Sequence, residues 1–124
     1  MYKFLNYTGK TIHLWRGPVI HDAPECMLIP HFPIPMIDYH RRLHINVVDD
    51  DGILWPIHDY RVSQIKHMPQ IEKDIFVVVT KEIAQAASFL QLPRADLVYP
   101  GLVQHQSDTA IFCGALERNV TTRL

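Results

Sequence analysis

The stretch at residues 75–101, IFVVVTKEIAQAASFLQLPRADLVYPG, decides the reading of this chain. Residues 75–79 are aromatic or β-branched and too few for an isolated helix, which predicts a central strand. Thr80 is a good N-cap, and Glu82 suits the positive end of a helix dipole. Ile83, Ala86, Ala87 and Leu90 then recur at helical spacing and give one apolar face, until Pro93 stops the run. A helix is predicted over about residues 81–91. Phosphate cradling at a helix start uses glycines that let backbone N–H groups approach the ligand. Val79-Thr80-Lys81-Glu82 contains none, so a P-loop and a dinucleotide fingerprint are both rejected. Packing accounts for the unit, and only Arg94 and Asp96 at its exit remain as candidate chemistry.

Working outward, residues 2–7 and 11–16 flank Thr8-Gly9-Lys10 and predict an opening β-hairpin. Residues 17–39 hold five of the nine prolines and read as an extended, rigid connection, with edge strands around 27–29 and 34–37. LHINVV and ILWPIHDYRVSQI flank DDDG, whose Asp51-Gly52 pair predicts a second hairpin. There Leu43, Ile45 and Val47 form an apolar face, while His44, Asn46 and Val48 form a mixed one that suits a ligand or partner. Residues 97–103 and 110–116 supply two further short apolar segments. The expected fold is α+β: an antiparallel sheet built from hairpins, with one main helix near the C-terminus. At 124 residues, one domain spanning 1–124 is expected, with its exposed faces covered by homo-oligomerisation.

Lys and Arg number 12 against 13 Asp and Glu, which argues against a general nucleic-acid binder. The densest basic spot, Arg41-Arg42 between His40 and His44, is scaled to a small anion. The opening MYKFLNYTGKTIHLW reads as sheet rather than as a secretory leader, and Cys26 and Cys113 lie far apart, so a reduced, cytoplasmic setting is expected. No apolar run approaches the roughly 20 residues that span a bilayer.

Candidate catalysts are sparse. Eight histidines invite a metal reading, in which His13, His21, His40, His44 and His58 would serve a hydrolase. Neither His40 with His44 nor the group His21, Asp22, Glu25 and Cys26 has the spacing of a closed site, so no metal and no cofactor are expected. Cys113 within AIFCGAL reads as a small buried hydrophobe, Ser88 lies among small helical residues, and no G-x-S-x-G elbow exists.

A polar set lies late in the chain: Arg94 and Asp96, then Glu117, Arg118, Asn119, Thr121, Thr122 and Arg123. Arginine offers a planar fork to phosphate, the amide and hydroxyls offer further partners, and aspartate can accept from a ribose hydroxyl. With Arg41 and Arg42 as further phosphate contacts and Tyr39, Tyr99 and Trp55 as stacking surfaces, the set suits a nucleotide. The competing reading is a polar, frayed chain end and a surface ion pair between Arg94 and Asp96.

Two stretches carry a resemblance. Asn6, Thr8 and His13 on the opening segment, and VVVTKEIAQAA followed by RADLVYPG, resemble the ends of small phage and prophage proteins, mostly of unassigned activity. The similarity covers about half the chain. By analogy with compact phage immune-evasion proteins, it implies a non-enzymatic protein of an infected bacterial host's cytoplasm. Such a protein would sequester a cyclic nucleotide or ADP-ribose derivative between subunits and so blunt host defence. The alternatives are an interaction module that binds a host protein through its sheet edge or proline-rich segment, and the histidine-based hydrolase.

Overall fold

The computed structural model describes residues 1–15 and 27–119, with 41–44 described by their backbone alone. Among the described residues, eight strands and one helix follow in order: β1 (Lys3–Asn6), β2 (Thr11–Leu14), β3 (Met27–Leu28), β4 (Met36–Val48), β5 (Leu54–Lys66), β6 (Ile75–Val78), α1 (Lys81–Phe89), β7 (Leu97–Gln106) and β8 (Ala110–Glu117). Six strands form one sheet in the order β1-β6-β7-β8-β2-β3, while β4 and β5 form a separate two-stranded arm.

The six-stranded sheet is mixed and nearly closed. β1 with β6, β6 with β7, and β2 with β8 are parallel, whereas β7 with β8 and β2 with β3 are antiparallel. A parallel bridge from Asn6 to Pro30 carries the far edge back to β1, and the His31 N–H donates to the Asn6 carbonyl at 2.7 Å. This architecture corrects the expected α+β layout. Among the described residues strands make up 53% against 9% helix, the sheet is not an antiparallel stack of hairpins, and the helix is one short element that ends at Phe89. Its chain reverses at Gln91, where φ is 57°, before reaching the proline.

Local chemistry explains why the opening hairpin does not form. Gly9 turns with φ of 81°, and Ile34 occupies the space a β-carbon would need there. Asn6 and Thr8 satisfy the turn with side chains instead of a cross-strand ladder. Asn6 Nδ2 donates to the carbonyls of Lys10 at 2.7 Å and Leu28 at 2.9 Å, and Asn6 Oδ1 accepts from the Thr8 N–H at 3.0 Å. The Thr8 hydroxyl lies 2.7 Å from Asn6 Oδ1 and accepts from the Lys10 N–H at 3.3 Å. The two strands are thereby steered apart, β1 onto β6 and β2 onto β8.

The run IFVVV is apolar because both of its faces are covered. Val77 and Val79 join Leu97, Tyr99 and the helical Ile83, Ala84 and Ala87 in one core, which the partly buried Ile37 and Ile65 of the arm's base also meet. Phe76 and Val78 point the opposite way, with Val98, Ile12, Ile111 and Cys113, into the barrel interior. The helix is held at its start by Thr80, whose hydroxyl accepts from the Ile83 N–H at 3.3 Å.

The second hairpin forms at the predicted turn. Asp49 Oδ1 accepts from the Asp51 and Ile53 N–H groups, both at 2.9 Å, and Gly52 takes φ of 80°. Asp49 Oδ2 also accepts from the Trp55 indole at 2.7 Å, which ties the turn to the arm.

Candidate functional site

The nearly closed sheet leaves a cavity of about 700 Å³, within the range of small-ligand sites. All six of its strands contribute: Phe4, Phe76, Val98, Ile12 with Leu14, Leu28, and the β8 run from Cys113 to Leu116. Phe4 and Phe76 are register partners on β1 and β6, and their rings stack with centroids 5.3 Å apart. Phe4 keeps 41% of its surface exposed, so this stacked pair borders the opening. Arg118, an exposed residue just past β8, also lines the cavity and is its charged member.

The lining is chemically quiet. Cys113 is 1% exposed, and burial pushes its thiol above the ordinary value of 9.0, against a smaller opposing effect of the Ala115 backbone. The thiol is therefore protonated at neutral pH and a poor nucleophile. An apolar cavity with one cation on its rim can hold a molecule with a flat or apolar body and one anionic group.

Five of the residues singled out from sequence come together at one end of β7. Arg94 donates from Nε to Asp96 Oδ1 and from Nη2 to Asp96 Oδ2, both at 2.8 Å. The fork is thus directed at a neighbouring carboxylate, and both side chains are largely buried. Arg118 Nη1 donates to the Ala95 carbonyl at 3.2 Å, and the Tyr99 hydroxyl donates to Asn119 Oδ1 at 3.1 Å. Tyr99 is buried against α1, so its ring offers no open stacking face. These bonds fasten the loop between α1 and β7 to the end of β8, and of the five only Arg118 also reaches the cavity.

The remaining candidates lie elsewhere. Arg41 and Arg42 belong to β4, on the arm, and their side chains fall outside the described residues, as do Thr121 and Arg123. Tyr39 and Trp55 are exposed on the arm, Tyr39 edge-on to Tyr60 and Trp55 bonded to Asp49. Among the described residues no three His, Cys, Asp or Glu side chains gather as metal ligands, and no helix is long and apolar enough to cross a membrane. His13 stacks on Phe112 at 4.4 Å, while His40 and His58 lie on the arm. The cluster His21, Asp22, Glu25 and Cys26 lies outside the described residues.

Sequence reasoning missed Phe4, Leu14, Leu28 and Phe76. Alternation along each strand selects the inward residues, but nothing local reveals that strands so far apart in sequence close on one another. Comparison with family models, with curated proteins and with solved structures returned no match.

Proposed function

We propose that the protein binds, without transforming, a small ligand that combines a flat apolar body with one anionic group, and that a nucleotide is the ligand class. The observation that carries this reading is the cavity lined from six strands, with the stacked Phe4–Phe76 pair at its opening and Arg118 on its rim. A base laid on an aromatic ring gains about 1–3 kcal/mol, and the arginine fork supplies a charge-assisted partner for phosphate. The protonated Cys113 thiol fits holding rather than turnover. Sequestration of a signalling nucleotide, in the manner of the phage proteins that the two ends of the chain resemble, is the role consistent with that chemistry.

Calorimetric titration with AMP, cyclic AMP, ADP-ribose and an aliphatic carboxylate tests it. At least one nucleotide is expected to bind and to be recovered intact. Arg118→Ala should weaken it about tenfold or more, equivalent to about 1.4 kcal/mol. Binding of the aliphatic carboxylate alone, or nucleotide binding unchanged in Arg118→Ala, would overturn the assignment.

A further inference from the structure

The cavity has two chemically different zones. Its rim is aromatic and cationic: Phe76 has Phe4 stacked on one side and Tyr2 on another, the latter at 5.2 Å between centroids and tilted by 48°. Tyr2, Phe4 and Arg118 are all exposed. The interior is aliphatic, with Ile12, Val98 and Cys113 buried and Leu14 and Leu28 half-buried. Among the described lining residues, Arg118 and Cys113 alone carry polar side-chain atoms, and a thiol is a weak donor and a weak acceptor. Water is a poor occupant there, since a buried water needs roughly two to four polar partners. At about 700 Å³ the space lies in the upper half of the roughly 300–1,000 Å³ range of drug-sized sites.

The position of the charge sets the orientation of a bound nucleotide. A phosphate held by Arg118 stays at the rim, so the sugar side of the base faces outward and the opposite, Watson–Crick edge faces Ile12, Leu28 and Val98. On an unmodified base that edge carries amine N–H groups and ring nitrogens. Each one buried without a partner weakens binding by roughly five- to a hundredfold. We infer, resting on the nucleotide reading of this cavity, that the ligand is a nucleotide whose base carries an apolar substituent on its inward edge, of the class of adenylates alkylated or arylated on the exocyclic amine. The substituent puts carbon where an amine N–H would lack a partner. It also fills aliphatic space that a bare purine leaves open.

Calorimetric titration of the full chain with AMP, with AMP benzylated on its exocyclic amine, and with benzyl phosphate tests this. Burying the phenyl ring should make benzylated AMP bind about ten- to a hundredfold tighter than AMP. Nuclear Overhauser contacts should join its benzyl protons to the methyl groups of Ile12, Leu28 and Val98, and Arg118→Ala should weaken both nucleotides by a similar factor. AMP binding as tightly as its benzylated form, or benzyl contacts confined to residues outside the cavity while AMP still binds, would overturn the inference and leave the nucleotide reading standing. Binding of neither nucleotide, or benzyl phosphate binding as tightly as benzylated AMP, would overturn that reading and the inference with it.

Discussion

Arg94 grips Asp96 through two parallel hydrogen bonds of 2.8 Å, with side chains only 13% and 6% exposed, at the point where the chain leaves α1 and enters β7. Enclosing an ion pair is tolerable only when geometry and further bonds are good, and removing one partner strands the other charge. Asp96→Ala should therefore destabilise the protein by about 3 kcal/mol, the low end for a broken buried pair because Arg94 retains some water. Urea unfolding measures this. Arg94→Ala should likewise lower stability while leaving nucleotide affinity within about twofold, since the fork is occupied.

Asn6 closes the barrel, and its amide cannot be replaced by an apolar group without leaving partners behind. Asn6→Ala would take its donor from the Leu28 carbonyl and its side-chain acceptor from the Thr8 N–H, at about 1–3 kcal/mol for each buried group left unpaired, while the Lys10 carbonyl keeps the Thr8 hydroxyl. Amide hydrogen exchange should show lost protection first where β1 and β3 meet, reported by the His31 N–H. Unchanged protection there would mean that the Asn6 side chain does not hold the seam.

Cys113 should resist alkylation in the folded protein and react in urea. Its thiol titrates above the ordinary 9.0, so the folded-state rate should keep rising with pH beyond that value. Peptide mapping after iodoacetamide separates it from Cys26. A nucleotide in the cavity should slow the reaction further.

Asp49 predicts a pH dependence confined to the arm's turn. The Trp55 indole, then the Ile53 backbone, hold its carboxyl below the ordinary 3.8. Because the folded value is depressed, the bonds contribute fully above 3.8 and are lost as pH falls through the lower, folded value. The Trp55 indole proton resonance should shift only in that acid window, and in Asp49→Asn it should not titrate there.

Much of the local structure is legible in the sequence, because capping and turn chemistry act over a few residues. Thr80 and the Ile83, Ala86, Ala87 spacing place the helix, and Asp51-Gly52 places the second turn. Sheet order is not legible, since it depends on side chains that act across the chain, as when Asn6 bonds Leu28. The apolar alternation at Ile45 and Val47 is visible in sequence too, yet it is exposed and does not serve the domain's own core. Of the cavity's lining, the sequence singles out Arg118 for binding because its chemistry is distinctive. Phe4 and Phe76 look like ordinary core until β1 is seen beside β6.

The most direct test of the central claim is an amide and methyl NMR titration of the full chain with AMP. Ligand in the barrel mouth predicts saturable shifts clustered on residues 4, 12, 76, 98, 113 and 118, with the arm unmoved, and their loss in Arg118→Ala. Shifts confined to the arm or to the loop around Arg94, or none up to about 1 mM, a binding free energy weaker than about 4 kcal/mol, would contradict it.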